Sequence, residues 1–259
     1  MAELLRRMLS AGRASRPSEE NTVAAGPPLL LLGGSGSGKT ALLFAAALEV
    51  AGEGRGPVLF LARRPLQSLP FRTGAALDPL RLQKIHFKYP PSARELFRFL
   101  CSAHEAQGPA PALLLLDCLE EYLSEHQRPH EVAHLAALLL DTTAHFSHRA
   151  GPRGGCGLVV ALQTQEDVDS GDTRQLALLQ RYFSASCWLQ LDAQGPRHRG
   201  LRVCLEPGEL GPRTVCSVTF QPDGSLTVTS LSTEEGDPSS GEGTSSGVGQ
   251  PPKASVSRF

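Results

Sequence analysis

Residues 29–40 read LLLLGGSGSGKT. Four consecutive leucines running into glycine predict a strand buried on both faces. Residues 33–40 fit G-x-x-x-x-G-K-[ST], the spacing of a phosphate-binding loop. Gly33, Gly34, Gly36 and Gly38, with Ser35 and Ser37 between them, let the backbone turn tightly and aim N–H groups at phosphate oxygens. Lys39 adds a cation for the β- and γ-phosphates, and the Thr40 hydroxyl is a ligand for Mg²⁺. The apolar run ALLFAAALEV after Thr40 predicts a helix. The phosphates then lie at a helix N-terminus, where the dipole favours anions. Strand, loop and helix in this order make nucleotide binding the firm point of the sequence, against a glycine-rich turn that matches by chance.

The chain has 259 residues, enough for one sizeable domain, and a net charge of −1. No global basic field advertises nucleic acid, so any such contact must come from a local patch. The six cysteines, Cys101, Cys118, Cys156, Cys187, Cys204 and Cys216, include no CxxC pair. Neither a zinc knuckle nor a dense disulfide framework is suggested, and scattered single cysteines suit a reducing compartment. No apolar run reaches the roughly 18 residues of a membrane span, so no membrane partner is expected. With 5% aromatic residues, base-stacking platforms are scarce.

Residues 1–25 carry Arg6, Arg7, Arg13 and Arg16, with Leu4, Leu5, Met8 and Leu9 at helical spacing. A transit segment is Arg-rich but poor in acids, and Glu3, Glu19 and Glu20 count against one, so a disordered or docking leader is expected. After the first helix, VLFLA (58–62) predicts a second buried strand, 63–80 a loop, and 82–87 a third strand. Ser92 with Glu95 fits a capping box for the helix ARELFRFLCSAHEA, with Leu96, Phe97, Leu100 and Cys101 on its buried face. LLLLD (113–117) is the next strand. Its Asp117 would emerge at the carboxyl end of a central parallel strand, beside the phosphate loop, and hold Mg²⁺ through water. A helix over 130–147, a strand GLVVALQ ending at Gln163, and a loop and helix over 166–183 follow. CWLQL, LRVCLE, TVCSVTF and SLTVTS are predicted as an antiparallel extension of the sheet. From residue 231 to 259 the Ser/Gly/Pro/Glu-rich sequence predicts disorder.

This order of elements resembles the core of RecA-like recombinases, an α/β P-loop fold with a central parallel sheet flanked by helices and an antiparallel C-terminal extension. PPLLLLGGSGSGKTALLFAAALE, GPVLFLARRPLQS and LLQRYF are similar to the recombinase paralogues called SWIM-domain-associated ATPases of Shu-type complexes. The resemblance spans residues 26–230. It implies ATP with Mg²⁺, single-stranded DNA binding, homologous recombination repair in the nucleus, and a SWIM-type zinc-finger protein as partner beside recombinases and their paralogues. Carried over by residue, Lys39 and Thr40 serve the phosphates and Mg²⁺, and Asp117 is the Walker B carboxylate. Gln163 senses the γ-phosphate and passes the signal to the DNA loops. The segment 165–180, with Arg174 and Arg181, takes the place of a DNA-facing loop.

One departure from the family matters. In RecA-like enzymes the second strand is followed within a few residues by a glutamate that orients the attacking water. Here that place reads Ala62-Arg63-Arg64-Pro65. Glu120 and Glu121, just past Asp117, substitute only if their loop folds back. Loss of a water-positioning base costs orders of magnitude in rate, so slow hydrolysis is expected, with the nucleotide acting mainly as a structural or switch ligand.

Other signals compete. His130-Glu131-Val132-Ala133-His134 matches H-E-x-x-H, but no third ligand follows at the zincin spacing. His145, His148 and Arg149 suit the last turns of a helix. Arg63, Arg64, Arg72, Arg81, Lys84 and Lys88 form a basic run that is either a phosphate-binding patch or a solvated face. A GTPase is disfavoured because no N-K-x-D occurs, and a small-molecule kinase because no lid with paired arginines is evident. An ATPase acting on DNA and a nucleotide-stabilised adaptor without turnover both fit these residues.

Overall fold

The computed structural model describes residues 26–70, 78–123, 128–151, 154–164, 170–192, 200–206, 213–220 and 226–234. The apolar runs become the centre of one nine-stranded sheet. Its parallel strands are β1 (Leu29–Gly33), β2 (Val58–Leu61), β3 (Ile85–Lys88), β4 (Leu113–Leu116), β5 (Gly157–Gln163) and β6 (Ala185–Asp192). Antiparallel strands β7 (Gly200–Glu206), β8 (Arg213–Phe220) and β9 (Leu226–Glu234) extend it, in the order β3-β2-β4-β5-β1-β6-β7-β8-β9. The four-leucine strands are central because both of their faces must be covered. Leu29 and Leu31 face the core under α1 (Lys39–Gly52), with Phe44 and Leu43. Leu30 and Leu32 point the other way. There α3 (Ala93–Cys101) and α4 (Pro129–Ala150) bring Leu96, Val132 and Leu139, and α5 (Ser170–Leu179) brings Leu179. The period of two along β1 thus feeds two cores, one on each side of the sheet.

Four local expectations change. Leu82 is not in the third strand: Pro79–Leu82 forms a short helix, α2, and the strand starts at Ile85. Asp78 caps that helix by accepting from the Leu80 N–H at 3.0 Å, and Pro79 at the first helical position supplies a preset φ. Helix α3 is capped by Ser92, which accepts from the Glu95 N–H at 3.3 Å, but it ends at Cys101 and gives way to a 3₁₀ turn, Ala103–Glu105. Its Cys101 is exposed and Phe97 only partly buried. The CWLQL strand, β6, runs parallel to β1 and antiparallel to β7, so it closes the parallel core rather than opening the extension. Strand β9 continues to Glu234, past residue 231. The leader 1–25, the tail from 235, Arg72 and residues 165–169 of the expected DNA-facing loop lie outside the described residues.

Candidate nucleotide site

Strands β1, β4 and β5 end side by side, and their C-terminal residues make the site. Gly33 is the register partner of Gln163 on one side and of Leu189 on the other. The Thr164 N–H donates to the Gly33 carbonyl at 3.1 Å. The loop then runs from Gly34 to Gly38. Gly36 (φ 70°) and Gly38 (φ 86°) lie in the left-handed region that favours glycine, and Gly38 turns the chain into α1. Ser37 is buried, while Ser35 and Gly36 are exposed at the tip.

Lys39 opens α1 and is 7% exposed. Its ammonium donates to the carbonyls of Gly33 and Gly34, both at 2.7 Å, and to Ser37 Oγ at 3.4 Å. Burial lowers its pKa. Nearby negative groups oppose that, Glu120 most strongly and ahead of Asp117. Thr40 Oγ1 donates to Asp117 Oδ2 at 2.7 Å, and Asp117 Oδ1 accepts from the Cys118 N–H at 3.0 Å. Asp117 is 2% exposed. Burial raises its carboxyl pKa, against the hydrogen bonds from Thr40 and Cys118 and the charge of Lys39. A hydroxyl and a carboxylate at this separation are the hard oxygen donors that suit Mg²⁺. A Cβ built on Gly34 meets nothing within 4 Å, so the loop backbone is open to a phosphate chain. The residues present therefore fit Mg·ATP. The geometry brings together all the expected phosphate and metal residues, with Gln163 one strand away.

The segment after Asp117 shapes the rest of the rim. Cys118 is left-handed (φ 53°), and Leu119–Glu121 forms a 3₁₀ turn. Leu119 and Tyr122 are buried on either side of the two glutamates, and the Tyr122 hydroxyl donates to the Pro90 carbonyl at 2.9 Å. Glu120 folds back so that its Oε2 accepts from the Gln163 N–H at 2.8 Å. Burial raises its pKa. Burial, then the charge of Asp117, pushes the Cys118 thiol up to about 12, which keeps it neutral at pH 7. Glu121 points elsewhere, to Arg64 at 3.7 Å. Beside the loop a cleft of about 910 Å³ opens between Gly34, Gln163, Leu176 and the residues Trp188 and Leu191 of β6. The β6 side of this cleft went unnoticed in the sequence. Alternation along CWLQL places Leu191 on the face of the buried Cys187 and Leu189, so its exposure, and the half-burial of Trp188, had no local signal.

Among the described residues, part of the basic run is engaged. Arg63 donates to the Pro91 and Glu121 carbonyls, Arg81 pairs with Asp78 at 3.4 Å, and Lys84 donates to the Ala51 carbonyl at 3.1 Å. Arg64, Lys88, Arg174 and Arg181 are exposed. The H-E-x-x-H stretch is otherwise employed. Glu131 caps α4 by accepting from the Arg128 N–H at 3.0 Å, and His134 packs against the Phe97 ring, with centroids 5.2 Å apart. Among the described residues, no three His, Cys, Asp or Glu side chains cluster as a metal site. Arg149, in the last turn of α4, donates to the Gly108 carbonyl at 2.7 Å, while the buried His145 Nε2 has no partner among the described residues.

No protein-family model matches the chain. The human protein named ATPase SWSAP1 is 72% identical over 228 residues, covering 88% of this chain and 99% of its own length. The mouse ATPase SWSAP1 is 58% identical over 249 residues, covering 93% of this chain and 88% of its own. Among solved structures, the RadB recombinase superposes with a TM-score of 0.57 over 78% of this chain and 92% of its own, at 17% identity. The RecA-like architecture expected from the order of elements is the one observed.

Proposed function

The chain belongs to the SWSAP1 ATPase family, and from that premise we propose that it hydrolyses ATP slowly, in response to single-stranded DNA, in homologous recombination repair. It is an ATPase built on the RecA-like recombinase fold. A nuclear location and a SWIM-type zinc-finger partner beside recombinase paralogues belong to the same proposal. Among the described residues no helix is long and apolar enough to cross a membrane.

The observation that carries the reading is the 2.7 Å contact between Thr40 and Asp117, which joins the phosphate loop to the carboxylate at the end of β4. Mg²⁺ bound there would neutralise charge on the β- and γ-phosphates. The chain's own residues do the rest. Phosphate oxygens are stronger acceptors for an ammonium than neutral carbonyls are, so a bound nucleotide draws Lys39 away from Gly33 and Gly34. The loop N–H groups and the start of α1 orient the phosphate chain. Gln163, in register with Gly33, would sense the γ-phosphate and pass the signal into the segment that would face DNA. Arg174 and Arg181 are exposed cations near that segment and would meet DNA phosphates.

A nucleotide-stabilised adaptor without turnover is the second reading. It is favoured by the end of β2, where Arg63 is tied to backbone carbonyls and residues 62–65 include no acid. Binding of a labelled single-stranded oligonucleotide by the purified chain, with and without Mg·ATP and across salt concentrations, separates the two. The DNA reading expects ATP-dependent binding whose logarithm falls with that of salt by about 0.7 per phosphate contacted. Binding that appears only when a partner protein is added would move the function to the adaptor.

A further inference from the structure

The end of β2 leaves hydrolysis without its usual carboxylate, yet a second carboxylate stands on the rim of the site. Asp117 belongs with Thr40 to the pair that would hold Mg²⁺: one oxygen accepts from Thr40 and the other from the Cys118 N–H. Glu120 is differently placed. The left-handed turn at Cys118 reverses the chain directly after β4, and the buried Leu119 and Tyr122 anchor the turn on both sides. Between these anchors Glu120 reaches across to the end of β5 and accepts from the Gln163 N–H. Gln163 is the register partner of Gly33, the first residue of the phosphate loop, so the carboxylate stands on the same rim as the loop. A carboxylate offers about four acceptor positions, so its bonds to the Gln163 N–H and to its own backbone N–H leave capacity for a water.

We propose that Glu120 is the catalytic base of this ATPase, holding the attacking water beside Gln163 in place of a glutamate after β2. The role rests on the ATPase reading above. In the step, the water oxygen forms a bond to the γ-phosphorus as the bond from that phosphorus to the β,γ-bridging oxygen breaks. The electron pair of the broken bond stays on ADP, and the water proton passes to the Glu120 carboxylate. Two further observations fit. The Lys39 ammonium feels the charge of Glu120, which opposes the lowering of its pKa by burial. Its own burial makes it a stronger base than an exposed glutamate. Glu121, the other acid in the turn, pairs with Arg64 instead of the Gln163 N–H.

The test is single-turnover ATP hydrolysis by the purified full chain with single-stranded DNA, for wild type, Glu120→Gln, Glu120→Asp, Glu121→Gln and Lys39→Ala. ATP affinity and thermal stability are measured on the same samples. Glutamine keeps an oxygen for the Gln163 N–H, so Glu120→Gln should fold and bind ATP as wild type does. Its hydrolysis rate should fall by about 10²–10⁴-fold, the range for a lost general base. Glu120→Asp should recover part of that loss, and Glu121→Gln should match wild type. A Glu120→Gln rate within a few-fold of wild type would overturn the proposal. So would a rate that falls only together with ATP affinity and stability, since that would make Glu120 a mere acceptor for Gln163. If wild type does no better than Lys39→Ala, the ATPase reading itself fails, which is a different result from a fast Glu120→Gln.

Discussion

Gly33→Ala isolates what the first glycine of the loop does for the fold. Gly33 ends β1 with β5 on one side and β6 on the other. A Cβ there would lie 2.6 Å from Ser37 Oγ, 2.8 Å from the Leu189 carbonyl oxygen and 3.0 Å from Leu189 Cβ. The serine hydroxyl can rotate, but the carbonyl belongs to a paired strand and cannot move alone. The methyl therefore has to push β1 and β6 apart. Overpacking of this kind costs about 1–3 kcal/mol. For a domain of roughly 200 residues each kcal/mol moves Tm by about 2–4 °C, so a fall of roughly 2–12 °C is expected. Gly34→Ala is the matched control: its Cβ meets nothing within 4 Å, and its φ is not positive. Its stability should stay within about 0.5 kcal/mol of wild type. Scanning calorimetry of the three proteins without nucleotide reads both. Equal Tm values for Gly33→Ala and Gly34→Ala would refute the packing of β1 against β6 at this point.

Further outcomes follow from single contacts. Arg63→Met removes two hydrogen bonds from a charged donor to the Pro91 and Glu121 carbonyls, and urea unfolding should show a loss of about 1.5–3 kcal/mol with ATP affinity retained. Tyr122→Phe leaves the Pro90 carbonyl without its buried partner and should cost about 1 kcal/mol by the same assay. Gly38→Ala places a side chain at φ 86° and should cost about 1–2 kcal/mol. The sign for Glu120 is opposite. Burial raises its folded pKa, so the stability it contributes is full below the ordinary glutamate value of about 4.3 and is lost as pH rises through the raised value. Glu120→Gln should thus match wild type in Tm near pH 4 and exceed it once pH has risen through the raised value. A thermal-shift series without nucleotide that shows no pH-dependent gap would contradict this.

The site was legible where chemistry fixes both residue type and spacing. The loop glycines, Lys39 and Thr40 form a local motif, and Asp117 follows an unbroken leucine run, so each could be located from its neighbours alone. Gln163 ends GLVVALQ as expected, and its role was assigned by resemblance, not by its neighbours. What escaped depends on contacts between distant segments. Nothing local tells CWLQL that its neighbour is β1, more than 150 residues earlier, so its parallel pairing with Leu29–Gly33 was missed. The fold-back of Glu120 rests on a left-handed cysteine, a conformation that sequence assigns to glycine or asparagine. The engagement of Arg63 rests on carbonyls 28 and 58 residues away, invisible to a count of basic residues. The misplaced start of the third strand is a different matter. Asp78-Pro79 is an N-cap followed by proline at the first helical position, a signal that was present and outweighed by the apolar residues after it.

The central claim is that the phosphate loop hydrolyses ATP in response to single-stranded DNA. Its most direct test is ATP turnover by the purified chain, with and without single-stranded DNA, beside Lys39→Ala. Lys39 is the buried cation of the loop, and its removal leaves the phosphates without their charge partner. Slow turnover that DNA raises and Lys39→Ala abolishes is the expected result. Turnover equal in both proteins and indifferent to DNA would contradict it.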